Sequence, residues 1–433
     1  MGNKIRLILL SFLQFAVWGA YLTSQGRYLG IAGFSDKIGL FYSIQGIVSI
    51  FMPAVMGIVA DKWIPAQRLL GFCHAVAGAA MIGAGIYGIM AGESVMFGPL
   101  FGLYTLSIAF YMPTIAISNS VAYTILEQWG MDPVKDFPPI RIWGTIGFIV
   151  SMWLVDLCSF NGTAMQETSF QYVVSGVLGL VMFAYSFTLP SCPVLGKGKK
   201  TTLAEAMGLK AFALFRQRKM AVFFIFSMLL GVALQITNGF ASPFLADFGN
   251  LPEYSGSFGV NHSNLLISLS QVSETLCILL IPFSLKHFGI KRVMLIAMFA
   301  WVLRFGFFAV GNPGGGIWFI VLSMIVYGVA FDFFNISGSL FVNENTDKTI
   351  RSSAQGLFML MTNGLGAALG TYGAQHIVNW LVNSHRMPDP AATDWVALMQ
   401  GWSHTWAVFA AYALVVAVLF AILFKYKHNP SRQ

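Results

Sequence analysis

Four ionisable side chains stand inside stretches that are otherwise apolar: Arg141, Glu274, Arg304 and Asp332. Charge in a hydrocarbon core is costly, and where it persists it usually marks a pathway or a binding site. Glu274 follows Gln271 by three residues, so the two share a helix face. Desolvation disfavours the ionised carboxylate, so Glu274 could take up a proton on one side of a membrane and release it on the other; the alternative is a structural pair with Arg304. Asp332 sits in Tyr327-Gly-Val-Ala-Phe331-Asp332-Phe-Phe-Asn335. Tyr327 and Phe331 share a face, with Asp332 and Asn335 on an adjacent one. Aromatic faces beside an acceptor and an amide suit a flat polar ligand held by stacking and hydrogen bonds. Packing is the competing explanation in a chain with 39 Phe. Gln235 and Asn238 are also three apart, and amides can read the edge of a heterocycle or a sugar. Arg141, Thr145 and Phe148 follow the i, i+4, i+7 spacing of one helix face, although Arg141 could simply snorkel to an interface. Its helix is expected to open after Pro138-Pro139. Arg304, between Trp301 and Phe305, reads as structural. The lone amides Gln14, Gln45, Asn119, Gln355 and Asn363 read as glue between helices.

Such residues must be held by helices in oil. Of the 433 residues 57% are hydrophobic and 10% charged, against roughly 25% charged in soluble domains, and the mean hydropathy is +0.71. A soluble globule, a disordered chain and a disulfide scaffold are excluded. The apolar runs are too long and continuous for the alternation of a β-barrel. The reading is an all-α membrane protein with twelve transmembrane helices at roughly 5–25, 38–60, 69–91, 96–126, 140–158, 170–190, 220–246, 263–285, 293–311, 316–342, 352–380 and 402–424. A basic linker splits them six and six, which gives an N-terminal bundle at 1–190, the linker at 191–219 and a C-terminal bundle at 220–433. The first run has no cleavage signal and is read as an uncleaved helix. Of the 25 Lys and Arg, 20 fall at the termini, in the linker and in the loops on one side. Only Arg27, Lys37 and Arg386 fall on the other, which places both termini in the cytoplasm. This topology accounts for the net charge of +8 without a nucleic-acid partner. Cys73, Cys158, Cys192 and Cys277 form no CxxC pair, and no metal site is expected.

The halves repeat weakly. Gly57-Ile-Val-Ala-Asp61-Lys62, trailed by Arg68, has a counterpart in Lys286-His-Phe-Gly-Ile-Lys291-Arg292, and Ile140-Arg141 is echoed by Ile350-Arg351. Two related six-helix halves joined by a basic linker are the layout of the major facilitator superfamily. Asp61 and Lys62 resemble its signature gating loop, although the usual second Gly is replaced by Trp63-Ile64-Pro65; helix capping is the simpler explanation for the pair.

Longer runs narrow the resemblance. Leu-Ser11-Phe-Leu-Gln14-Phe, Asp136-Phe-Pro-Pro-Ile-Arg141-Ile-Trp-Gly-Thr145-Ile-Gly-Phe148, Leu234-Gln235-Ile-Thr-Asn238 and Phe331-Asp332-Phe-Phe-Asn-Ile-Ser-Gly338 resemble the nucleoside:proton symporter family of that superfamily. The likeness extends along nearly the whole chain and departs around 247–262 and 383–400. It implies a secondary active transporter, not an enzyme, that imports nucleosides such as uridine or adenosine with protons across the bacterial inner membrane. It also implies a monomer that needs no cofactor beyond the coupling proton. The substrate would lie between the halves, touched by Arg141, Thr145, Phe148, Gln235, Asn238, Gln271, Glu274, Tyr327, Phe331 and Asp332, with Glu274 and Asp332 the candidates for the proton. A sugar or sugar-acid symporter of the same superfamily is the alternative, and a passive channel or receptor the more distant one. The seven His are scattered, with no catalytic or ligating spacing.

Overall fold

The computed structural model describes residues 2–194, 209–347 and 350–426; residues 195–208 of the expected linker lie outside the described residues, as does the side chain of Asp61. The chain is nearly all helical. Helices α1 (Gly2–Gly19), α2 (Gln25–Ile31), α3 (Ile38–Lys62), α4 (Ala66–Ala91), α5 (Phe97–Gln128), α6 (Pro133–Leu157) and α7 (Phe170–Ser186) precede the linker. After it come α8 (Arg218–Leu234), α9 (Ile236–Asp247), α10 (Ser263–Ile278), α11 (Ile281–Val310), α12 (Ile317–Asn345), α13 (Arg351–Met359), α14 (Ala367–Leu381) and α15 (Trp395–Leu423). Among the described residues, eight helical segments are long and apolar enough to cross a bilayer. The other expected spans fall on shorter or interrupted segments: 2–19, 170–186, 263–278 and 351–381.

Several expected boundaries move, each for a local reason. Helix α6 begins at Pro133, so Pro138 and Pro139 lie inside it rather than opening it. The N–H groups they lack would have served the carbonyls of residues 134 and 135, in the first turn, where Lys135 is exposed to water. The expected span 220–246 breaks at Gln235. The span 263–285 breaks after Ile278, and Gly289, at φ 72° and ψ 164°, turns the chain within 281–310. Residues Leu360–Gly366 wind as a π-helix between α13 and α14. One loop also departs from an all-α chain. Strands β1 (Ser159–Phe160) and β2 (Thr163–Ala164) pair across Asn161-Gly162, both at positive φ, as a two-residue hairpin turn requires.

The described residues divide into two compact units, 2–34 with 44–194, and 35–43 with 209–347 and 350–426. In the first unit α1 packs against α6, and α4 against α5 and α7. Gly147 makes the α1–α6 approach possible, because a Cβ there would lie 2.2 Å from the carbonyl oxygen of Phe12. Lipid offers no hydrophobic drive between helices, so such backbone proximity and dispersion must hold them together. Leu7, Leu70, Val121 and Ile125 fill the core. Arg27, at the start of the short α2, pairs with Glu167.

In the second unit α11 packs against α12 and α15, and α10 against α12. Its core is aromatic. Phe223 is ringed by Phe224, Phe334, Phe341, Phe358 and Phe424, which ties α8 to α12, α13 and the end of α15. A second cluster joins Trp406 to Phe244, Phe305, Phe308, Trp402 and Phe409. Each aromatic pair adds about 0.5–1.5 kcal/mol beyond area burial. At the end of α9, Asp247 accepts from Arg386 at 2.7 Å and from the Trp402 indole at 2.8 Å.

Candidate functional site

In the first unit α6 carries Arg141, Thr145 and Phe148. Arg141 and Thr145 are half-buried and Phe148 is buried, as the spacing of one face predicts. The guanidinium of Arg141 lies 3.8 Å from the centre of the Phe15 ring on α1, a cation–π contact. This favours a fixed position within the fold over a free snorkelling side chain. Phe148 meets the edge of Trp18, with ring centres 6.3 Å apart.

Behind these lies a buried polar chain. Gln14 donates to Thr114 at 2.8 Å and contacts Nε2 of His74 at 3.0 Å; Tyr111 donates to the Gln14 carbonyl at 2.7 Å and packs against Trp18. Gln14 is therefore glue, as expected of a lone amide. Gln45 acts likewise through the Tyr104 hydroxyl at 2.7 Å, and Gln355 through the Ser339 carbonyl at 2.7 Å.

In the second unit the amide pair forms as its spacing predicts: Asn238 donates to Oε1 of Gln235 at 2.8 Å. Gln235 stands at the break between α8 and α9. Interrupted helices free backbone polar groups, which a membrane tolerates only where protein or a wet cavity satisfies them. The hydroxyl of Tyr42 donates to the Asn238 carbonyl at 2.9 Å. On α12 the Tyr327 and Phe331 rings stack 5.6 Å apart at 16°. Asp332, beside them, is buried at 6% exposure, whereas Gln271 and Glu274 on α10 are half-buried. The Tyr327 hydroxyl lies within electrostatic range of Glu274, Arg304 and Asp332.

Helices α10 and α12 come this close because of Gly328, where a Cβ would stand 2.5 Å from the Ser273 carbonyl oxygen. The Ser273 hydroxyl in turn donates to the carbonyl of Ile325. Glu274, Asp332 and the Tyr327–Phe331 pair are thus gathered on two helices locked together. The arrangement offers an aromatic platform, two amides that both donate and accept, and two carboxyl groups.

Arg304 does not pair with Glu274. It donates instead to the Ser323 carbonyl, the Thr237 hydroxyl and the Ser270 hydroxyl, at 2.7, 3.1 and 3.4 Å. It is structural, as its position suggested, but its partners are neutral. Lys62 is the last residue of α3, a basic group in the final turn as a helix end favours. The side chain of Asp61 lies outside those described. Two residues that touch the candidate site, Trp18 and Tyr42, are not singled out by spacing. Each sits among other apolar residues, and its partner is more than a hundred residues away. Among the described residues, no cluster of His, Cys, Asp and Glu could hold a metal ion.

Long apolar helices that hold buried polar and charged groups, with Gln235 at a helix break, define a multi-pass membrane protein. Residues 1–429 match the family model described as "Nucleoside H+ symporter". The chain is 46% identical to the xanthosine permease of Escherichia coli, over 100% of its own length and 98% of the permease. It is 44% identical to the nucleoside permease NupG of the same organism, over 99% and 97%. The crystal structure of nucleoside transporter NupG superposes with a TM-score of 0.85 at 42% identity, covering 99% of this chain and 100% of that one. The protein belongs to the nucleoside:proton symporter family and has the major facilitator fold.

Proposed function

We propose that this protein is a secondary active transporter that imports nucleosides such as uridine or adenosine together with protons, by alternating access across the bacterial inner membrane. In this reading the chain spans the bilayer twelve times, as six-helix bundles at 1–190 and 220–433 joined by the cytoplasmic linker 191–219. Both termini are cytoplasmic, it works as a monomer, and the proton is its coupling ion with no other cofactor. The observation that carries the reading is the stacked Tyr327–Phe331 pair with Glu274 and Asp332 beside it. A nucleoside joins a flat base to a ribose bearing hydroxyls. The aromatic pair, with Phe148, stacks on the base. Gln235, Asn238, Gln271 and Thr145 bond its edge or the sugar, and Asp332 accepts from ribose hydroxyls while Arg141 balances the charge. Glu274 carries the proton: once protonated it adds no net charge to the closing site. Asp61 and Lys62 serve the cytoplasmic gate.

One proton moving down 100 mV releases about 2.3 kcal/mol, roughly fortyfold in accumulation. The deciding experiment is uptake of labelled uridine into vesicles containing only this protein under an imposed proton gradient. Uptake should collapse with an uncoupler and be competed by nucleosides but not by hexoses; competition by hexoses would restore the sugar-symporter alternative. Glu274→Gln should abolish accumulation while sparing exchange, and Asp332→Ala should eliminate binding. Accumulation by Glu274→Gln at the wild-type level would discard the coupling role.

A further inference from the structure

Arg304, on α11, is 2% exposed and makes no ion pair among the described residues. Its Nη1 donates to the Ser323 carbonyl and the Ser270 hydroxyl, its Nη2 donates to Thr237, and the Ser323 hydroxyl returns a bond to the Arg304 carbonyl at 2.9 Å. The guanidinium carbon lies 4.4 Å from the centre of the Tyr327 ring. Each residue it holds adjoins a candidate nucleoside contact. Thr237 stands between Gln235 and Asn238, Ser270 precedes Gln271, and Ser323 lies one turn before Tyr327.

A buried cation without a carboxylate is an expensive way to join helices, since well-packed apolar side chains of similar volume do as well or better. What an apolar residue cannot supply is a planar fork that fixes three helices in register and a charge that holds an aromatic ring face-on. We propose that Arg304 is a positioning residue for nucleoside recognition. From behind the site it sets the register of α9, α10 and α12 and orients the Tyr327 ring against which the base stacks. This deepens the proposed function and rests on its placing Tyr327 at the base.

The test is uridine affinity, measured by titration calorimetry on the purified full chain, in a double-mutant cycle of Arg304→Met and Tyr327→Leu. Arg304→Met should weaken uridine binding by about threefold to thirtyfold, the range of a desolvated cation–π contact. The same change should cost clearly less in the Tyr327→Leu background, because the ring to be oriented is gone and only the register of the helices is still at stake. Arg304→Lys, which keeps a cation beside the ring but lacks the planar fork, should recover only part of the loss. An Arg304→Met protein that binds like wild type, or a loss that is equal in both backgrounds, overturns the proposal. Should Arg304→Met not fold, Thr237→Val decides: it removes one acceptor at constant shape and should weaken uridine binding with little change in melting temperature, and unchanged affinity overturns the proposal. Wild-type protein that does not bind uridine, or Tyr327→Leu protein that binds it normally, would instead sink the underlying functional reading.

Discussion

Replacing Gly328 by Ala tests whether the close approach of α10 and α12 builds the binding face. The added methyl would lie 2.5 Å from the Ser273 carbonyl oxygen, 2.6 Å from its carbon and 2.8 Å from Sγ of Cys277. Ordinary contact begins at 3.4 Å, so one helix must withdraw by 3.4 − 2.5 = 0.9 Å. Two of the three opposing atoms are backbone and cannot swing aside. Ser273 immediately precedes Glu274 and follows Gln271 by two residues, so the displacement carries both away from Tyr327 and Phe331. Overpacking of this kind costs about 1–3 kcal/mol. Taken from ligand affinity, that is about fivefold to 150-fold. The control is Gly306→Ala on α11, where nothing lies within 4 Å of the new methyl and helix propensity improves slightly. Calorimetric titration with uridine should show Gly328→Ala weakened by at least about fivefold, and Gly306→Ala within about twofold of wild type. Equal, wild-type affinities in the two variants would refute the claim that this contact sets the geometry of the carboxyl and aromatic groups.

Asp247→Ala leaves the Arg386 guanidinium and the Trp402 indole N–H without their acceptor. Breaking one side of a largely buried pair costs about 3 kcal/mol, so the melting temperature in detergent should fall by several degrees; a melting curve matching wild type would show that water replaces the carboxylate at no cost. Burial pushes the Cys192 thiol up to about 11, and only the thiolate attacks a maleimide. Because the shift is upward, the reactive form is scarce at neutral pH and grows only as the pH climbs toward that value. In a variant retaining Cys192 as its single cysteine, native protein at neutral pH should resist labelling and denatured protein should label readily. Rapid native labelling would contradict the burial.

The scaffold was legible because lipid demands long apolar runs, and the candidate site because ionisable groups within such runs are rare. The pairs Gln235–Asn238 and Tyr327–Phe331 meet as helical spacing requires. What hydropathy hides are the interruptions. A window of about twenty residues averages across Gln235, across residues 279–280 and across the π-turns at Leu360–Gly366, although these breaks carry or adjoin the polar groups. Pro138-Pro139 marked the helix start too late, since proline is tolerated beyond the first position where the carbonyls its missing N–H would have served reach water. The hairpin at Asn161-Gly162 had its turn signature in plain view but is too short to register as strand. Partners distant in the chain, such as Trp18 for Phe148 and Tyr42 for Asn238, leave no periodic trace.

The choice of partners for Arg304 also bears on coupling. Two outcomes were open for a cation on the span next to Glu274: an ion pair with that carboxyl, or neutral acceptors. An ion pair would tie the protonation of Glu274 to the fate of the cation. Each proton taken up would strand a buried guanidinium, and removing one partner of a buried pair costs about 3–5 kcal/mol, more than the roughly 2.3 kcal/mol that a proton releases in crossing 100 mV. Over a full cycle that cost is returned when the pair re-forms, so it would stand as a barrier in the half of the cycle that carries the proton. With the guanidinium lodged on the Ser323 carbonyl and on the hydroxyls of Thr237 and Ser270, protonating Glu274 takes away none of its acceptors. If Glu274 carries the proton, this separation spares the cycle that barrier. Introducing a carboxylate into the Arg304 shell, as in Ser270→Asp, should then leave uridine binding measurable while lowering gradient-driven accumulation. Undiminished accumulation in that variant would show that the cation's partners do not matter to coupling.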